Sequence, residues 1–289
     1  MLYTRQKELL YVISRLGTAG RTQLQKLEFL ACLNRDKPTY SFFPYKFGPY
    51  SLILQKDLDY LATNGFLNFK DEHYTCVVAE QKLTDKDRLE VIDKTIGRFE
   101  GYSATGLMEY IYRTSPYCAI RSERAEELLS PSELQAVQRM NPDTETPCLF
   151  TIGYEGRSID EYLDILIRNG VKLLIDVRAN GVSMKPEFSS KRLSGYCTLV
   201  GIGYKHHSAI GIASEKRKGT YNKADLFGEY LQELRNDKAN DLVNIYDDAL
   251  IGKRVAFTCF EREPQDCHRQ IVVEELISKF SMEVSLKHL

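Results

Sequence analysis

The chain has 289 residues, a formal net charge of -1, 43% hydrophobic and 27% charged residues. That length exceeds the usual span of one hydrophobic core, so two domains are expected, and the composition excludes a disordered or fibrous chain. A near-neutral balance argues against a protein held to nucleic acid by bulk electrostatics, and no stretch approaches the roughly 20 apolar residues of a membrane span.

MLYTRQKELL offers no apolar signal-peptide region, so secretion is not expected and a cytoplasmic location is. Leu9, Leu10, Ile13 and Leu16 fall at helical spacing, and residues 22–33 repeat the pattern after the breaker GTAG. The aromatic stretch TYSFFPYKF follows, and its Tyr40, Phe42, Phe43, Tyr45 and Phe47 suit either a core strand or base stacking. Gly48-Pro49 breaks the chain, Ser51 can cap a third helix, SLILQKDLDYLATNG, and residues 66–78 alternate around an Asp71-Glu72 turn as a two-stranded wing would. The order is that of a winged-helix domain over residues 1–82. YKFGPYS, DLDYLATNGF and YIYRTSPYCAIRS resemble the YwgA-like winged-helix family over about residues 1–122. The third helix offers only Lys56 beside Asp57 and Asp59, a poor surface for phosphate contact, so a protein partner suits it as well as DNA does.

Residues 84–100, 103–113 and 122–139 read as helices of an extension over residues 83–139, the last interrupted at Ser130-Pro131, and 140–147 (MNPDTETP) read as a linker. From 148 to 289 the pattern turns α/β. Strand CLFTIGY is followed by Ser158-Ile-Asp-Glu161, which has capping-box spacing, and by helix IDEYLDILIRNG. KLLIDVR, GIGYKHH and RVAFT supply further strands and MEVSL (282–286) a last one, so a mostly parallel sheet is expected. SSKRLSGYCTLVG and QIVVEELISKF read as helices. The fold class is therefore an α/β C-terminal domain plus an N-terminal winged-helix-like α+β domain with extra helices.

Open parallel sheets collect functional groups at the carboxyl ends of their strands. This chain places Tyr154, Glu155, Gly156 and Arg157 there after the first strand, and Asp176 and Arg178 after the second. Tyr204, His206 and His207 lie on the third strand, and Cys259 and Glu261 follow the fourth. TIGYEGRSIDEYLDIL, LLIDVRANGVSMKPEFS, GIGYKHH and CFEREPQDCHR run in the order of the family catalogued as domain of unknown function 488, which this region resembles. The resemblance implies fold and site position. Where members of that family often carry His in the first motif, this chain has Tyr154.

Asp266 is placed to cap the final helix, putting Cys267, His268 and Arg269 in its first turn. There the free N–H groups, with Arg178 and Arg269, favour an anion. Tyr154, Gly156, Arg157, Arg178, Tyr204, Cys267, His268 and Arg269 are the expected ligand-binding residues. Asp176, His206, Cys259 and Glu261 are the candidates for catalysis. Asp176 and Glu261 suit proton transfer or arginine pairing, and Cys259 suits core packing, covalent catalysis, or a redox or metal role. His206 and His207 should face opposite sides of the sheet, and a metal site is not expected, because neighbours on a helix point about 100° apart and no CxxC pair exists. The seven cysteines are spread thinly, as free thiols of a reducing compartment are. SEKRKGTYNK (214–223) is a basic loop, a solvated face or a backbone contact for nucleic acid.

Two functional expectations follow. In one, a winged helix recruits the α/β domain, which binds or processes a phosphate-bearing small molecule or nucleic acid as a hydrolase or transferase would. In the other, the α/β domain senses a ligand or redox state through Cys259 and Cys267 and adjusts what the winged helix holds. No cofactor is indicated.

Overall fold

A computed structural model describes residues 2–77, 85–213, 216 and 222–289. The chain divides into two compact units, Met1–Asn141 and Pro142–Leu289.

In the first unit, helices α1 (Thr4–Leu16) and α2 (Arg21–Cys32) flank a short strand β1 (Ala19–Gly20). The aromatic stretch forms a hairpin, β2 (Phe43–Tyr45) against β3 (Gly48–Tyr50), rather than a single strand. Gly48 sits at φ +92, where a Cβ would lie 2.7 Å from the Tyr112 ring, so only glycine fits the turn. Ser51 Oγ accepts from Leu54 N (3.1 Å) and caps α3 (Leu52–Thr63). Strands β4 (Leu67–Lys70) and β5 (His73–Cys76) turn through Asp71 and Glu72, both at positive φ, and pair antiparallel with β1 in the order β1-β5-β4. Helices α4 (Lys86–Arg98), α5 (Ala104–Thr114), α6 (Ala125–Leu128) and α7 (Pro131–Gln138) follow. Tyr40 and Phe43 are buried, which places two of the five aromatics in the core. Asp57 accepts from Arg5, Gln6 and Tyr40 and so does not face solvent from α3.

The second unit is α/β, and its sheet is parallel throughout. Strands β6 (Cys148–Gly153), β7 (Leu173–Asp176), β8 (Gly203–His206), β9 (Arg254–Cys259) and β10 (Ser285–His288) stand in the order β10-β6-β9-β7-β8. The last strand begins later than MEVSL suggests, because Ser281 turns at positive φ and residues 282–284 are spent leaving the preceding helix. Helices α8 (Ile159–Arg168), α9 (Ser190–Leu199), α10 (Lys223–Arg235), α11 (Ala239–Gly252) and α12 (His268–Lys279) complete the unit. The sequence reading assigned no element to α10 and α11. The basic loop falls largely outside the described residues, at 214, 215 and 217–221. The segment read as a linker is anchored to this unit: Arg254 donates to Thr146 O (2.6 Å) and to Asp143 (3.4 Å).

Strand order decides where the site forms. Late in sequence, β9 is inserted between β6 and β7, so Gly153 lies beside Cys259 and Asp176 beside Thr258 at the carboxyl edge. Strand alternation then sorts the side chains. Leu149, Leu173, Ile175, Val255, Phe257 and Cys259 join the core built with Tyr230, Leu242, Ile245, Val272 and Leu276. Phe150, Ile152, Leu174 and Thr258 take the other face, where Tyr162 of α8 donates to Thr258 Oγ1 (2.7 Å). No helix among the described residues is long and apolar enough to cross a membrane.

Candidate functional site

On the α8 face, Asp176 and Arg178 form a buried ion pair. Arg178 Nε donates to Asp176 Oδ1 (2.8 Å), Nη2 reaches Asp176 Oδ2 and Phe188 O, and Nη1 donates to the Tyr154 hydroxyl (2.8 Å). Tyr204 donates to Asp176 Oδ2 (2.7 Å). Burial alone would lower the guanidinium pKa, but the Asp176 carboxylate outweighs it and the net shift is upward. Tyr154 stacks on Phe188 with centroids 4.4 Å apart and donates to Ser183 Oγ (3.2 Å). The group is internally matched. Asp176 pairs with Arg178 and accepts from Tyr204, and most of the Arg178 fork is engaged within the protein.

On the other face, two thiols meet an imidazole. Cys259 Sγ lies 3.8 Å and Cys267 Sγ 3.9 Å from His268 Nδ1, and Cys259 donates to Glu261 Oε2 (3.3 Å). All three atoms lie within 4.8 Å of one another, and Cys259, Cys267 and His268 are at most 2% exposed. Cys267 is the N-cap residue of α12, with extended backbone (φ -135, ψ 138) and no side-chain cap from Asp266, whose carboxylate pairs with Lys223. The expected divergence of helical neighbours therefore does not apply to Cys267 and His268. His268 Nε2 sits 2.9 Å from Val177 O, and a carbonyl requires a donor, so Nε2 carries a proton and Nδ1 is the ring nitrogen that faces the sulfurs. Burial pushes the Cys267 thiol up, but the Cys259 hydrogen bond, His268 and Arg269 bring it well below the ordinary thiol range. Burial and the neighbouring Cys267 raise the Glu261 carboxyl.

A third group surrounds the turn after β6. Arg269 is fully buried and its fork grips the loop after β9, donating to Glu261 O (2.5 Å) and Arg262 O (2.9 Å). That loop lies against Gly153, where a Cβ would fall 1.8 Å from Glu261 O. Gly156 turns at φ +73. Arg157 is 8% exposed, and its Nε and Nη1, together with Arg269 Nε, are buried with no hydrogen-bond partner among the described residues. Desolvation lowers the Arg157 pKa; Glu161 opposes this, and the nearby charges of Arg262 and Arg269 add to it.

The first two groups meet at one cleft of about 410 Å³, lined by Tyr154, Arg178, Asn180, Lys185, Cys259 and Phe260 among others. The two histidines part as strand alternation requires. His206 donates to Arg178 O (2.7 Å), while His207 pairs with Asp248 (2.9 Å). Both border a depression with Asp247 and Asp248, and His206 is tied to the Cys259 cleft through the Arg178 backbone. Sequence reasoning assigned no role to Asn180, Ser183, Lys185, Phe188 or Arg262. The segment RANGVSMKPEFS was the available signal, since it stands at the carboxyl end of β7. The fixing role of the Val177 carbonyl had no sequence signal, because every residue has one.

Residues 158–276 match the family described as Domain of unknown function DUF488. No curated protein matches the chain.

Proposed function

We propose that the C-terminal unit, which carries this DUF488 domain, binds a phosphate-bearing, nucleotide-like ligand at the carboxyl edge of its sheet and processes it beside the Cys259–Glu261 centre. The observation that carries this reading is the set of three buried guanidinium nitrogens, two on Arg157 and one on Arg269, that no group among the described residues satisfies. Burying an unpaired polar nitrogen costs about 1–3 kcal/mol and more when it is charged, so such groups call for a partner that arrives with the ligand. An anion answers that need, and the N-terminus of α12, where Arg269 sits, favours the same charge. Arg157 and Arg269 hold the anion in this reading, Tyr154 and Gly156 shape the turn, and Glu261, poised upward in pKa, moves the proton.

The N-terminal unit is read as a winged-helix-like module that recruits the target, nucleic acid or protein. The test is a thermal-shift panel of nucleotides, nucleotide sugars, short DNA and short RNA on the wild type and on Arg157→Gln. A ligand at about 100 times its Kd adds about 2.7 kcal/mol to the wild type, and the variant loses that gain. Equal stabilisation of both proteins, or of neither by any compound, sinks the reading. The adjacent thiols of Cys259 and Cys267 favour a second reading, a non-enzymatic ligand or redox sensor. Turnover separates the two, because a sensor returns its ligand unchanged.

A further inference from the structure

We propose that Cys259 Sγ, Cys267 Sγ and His268 Nδ1 form a binding site for a thiophilic divalent cation, zinc foremost, with Glu261 beside its open fourth position. This goes beyond the anion reading and does not rest on it.

The spacing fits the ion. Zinc bonds of about 2.3 Å to sulfur and about 2.0 Å to nitrogen give a tetrahedral S···N edge of about 3.5 Å. The corresponding separations are 3.8 and 3.9 Å from the sulfurs to His268 Nδ1. Both sulfur-to-nitrogen edges therefore need to close only by tenths of an ångström. The imidazole is already set for the task. A ligating histidine ordinarily donates its other ring nitrogen to a carbonyl or carboxylate, and here Val177 O takes that proton from a position 91 residues away.

The backbone contributes the convergence. Cys267, extended at the N-cap, and His268, the first helical residue, project together, and Cys259 meets them from the end of β9. Two thiolates and an imidazole are a soft donor set that selects zinc over magnesium or calcium. All three side chains are buried, so a bound cation would be shielded from water on their side. Three protein ligands with a carboxylate at hand are the pattern of a catalytic rather than a closed structural site. A water on the fourth position would give its proton to Glu261 and remain on the cation as hydroxide, with Cys259 acting as a ligand and not as a nucleophile.

The experiment is metal analysis of the full chain purified from zinc-supplemented culture, followed by cobalt substitution. The expected result is one zinc per chain in the wild type and in Cys76→Ser, lost in Cys259→Ser and Cys267→Ser. The cobalt form should show a thiolate-to-metal charge-transfer band. Circular dichroism checks that each variant folds. Should the cysteine variants fail to fold, X-ray absorption on the wild type decides: a sulfur shell near about 2.3 Å supports the site, and a shell of nitrogen and oxygen alone overturns it. A wild type that retains no zinc, or one whose zinc survives both cysteine substitutions, or one that recovers only a Cys259–Cys267 disulfide, also overturns it. Because no nucleotide is present, a failure here leaves the Arg157 test unaffected.

Discussion

Arg178 and Arg157 are both buried arginines at the carboxyl edge of the sheet, yet their burial means different things. Arg178 faces Asp176 and Tyr154, so removing it leaves a carboxylate at 0% exposure without its countercharge. Breaking such a pair costs about 3–5 kcal/mol, and Arg178→Met should destabilise the second unit by that order in denaturant melts, with or without ligand. A loss below about 1 kcal/mol would show the pair to be dispensable. Arg178→Lys should recover little, since one ammonium cannot reach Asp176, Tyr154 and Phe188 O together. In the first unit, Glu28 is fully buried and neither of its carboxylate oxygens has a hydrogen-bond partner among the described residues. Burial raises its pKa from 4.5 to about 7, with Glu8 adding and Arg35 opposing. Between those two pH values the unfolded chain has released a proton that the fold retains, so stability falls as pH rises through this window and levels off above it. The full span is about 3 kcal/mol. Glu28→Gln should therefore stabilise the first unit by that order at pH 8 and little at pH 4, read by hydrogen exchange of α2 amides. An equal effect at both pH values would refute the assignment.

Among the elements, the turn after β6 and the loop after β9 are one construction. Gly153 lets the backbone of Glu261 approach, and Arg269 ties the same loop to the first turn of α12. Gly153→Ala should displace Glu261, with overpacking that costs about 1–3 kcal/mol or more. It should also speed thiol labelling of Cys259, measured against Cys76; unchanged labelling would mean that the loop does not depend on Gly153. Helix α8 is capped by Ser158, whose Oγ accepts from Glu161 N (3.1 Å), and Ser158→Ala should cost about 1 kcal/mol in a thermal melt.

Each unit owns its core at the scale of the whole molecule. One cluster runs from Leu149 to Leu276, while Leu9, Leu24, Leu54, Tyr74 and Ile92 belong to another in the first unit. The fragment 142–289 should therefore fold alone with a single cooperative melt; a fragment lacking near-ultraviolet dichroism would contradict this. Cutting at residue 148 instead should weaken it, because Arg254 would lose Asp143 and Thr146.

Hydrophobic periodicity, capping residues and breakers marked α1, α3, α8, β6, β7 and β9, since each of these signals is local. The four motifs of the C-terminal region placed their polar residues at the carboxyl edge for the same reason. Three other features stayed hidden. Whether Arg178 is free or matched depends on Tyr154, 24 residues away, and on a strand order that inserts β9 between β6 and β7. Whether Cys267 and His268 diverge or converge depends on one residue's backbone torsion at the helix start. Which nitrogen of His268 faces the sulfurs depends on a carbonyl brought up by the sheet. Sequence by itself determined which residues are chemically able and which edge of the sheet they share. Tertiary structure alone decided which of them are matched to one another and which still lack a partner, because pairing is set by contacts between strands and loops distant along the chain.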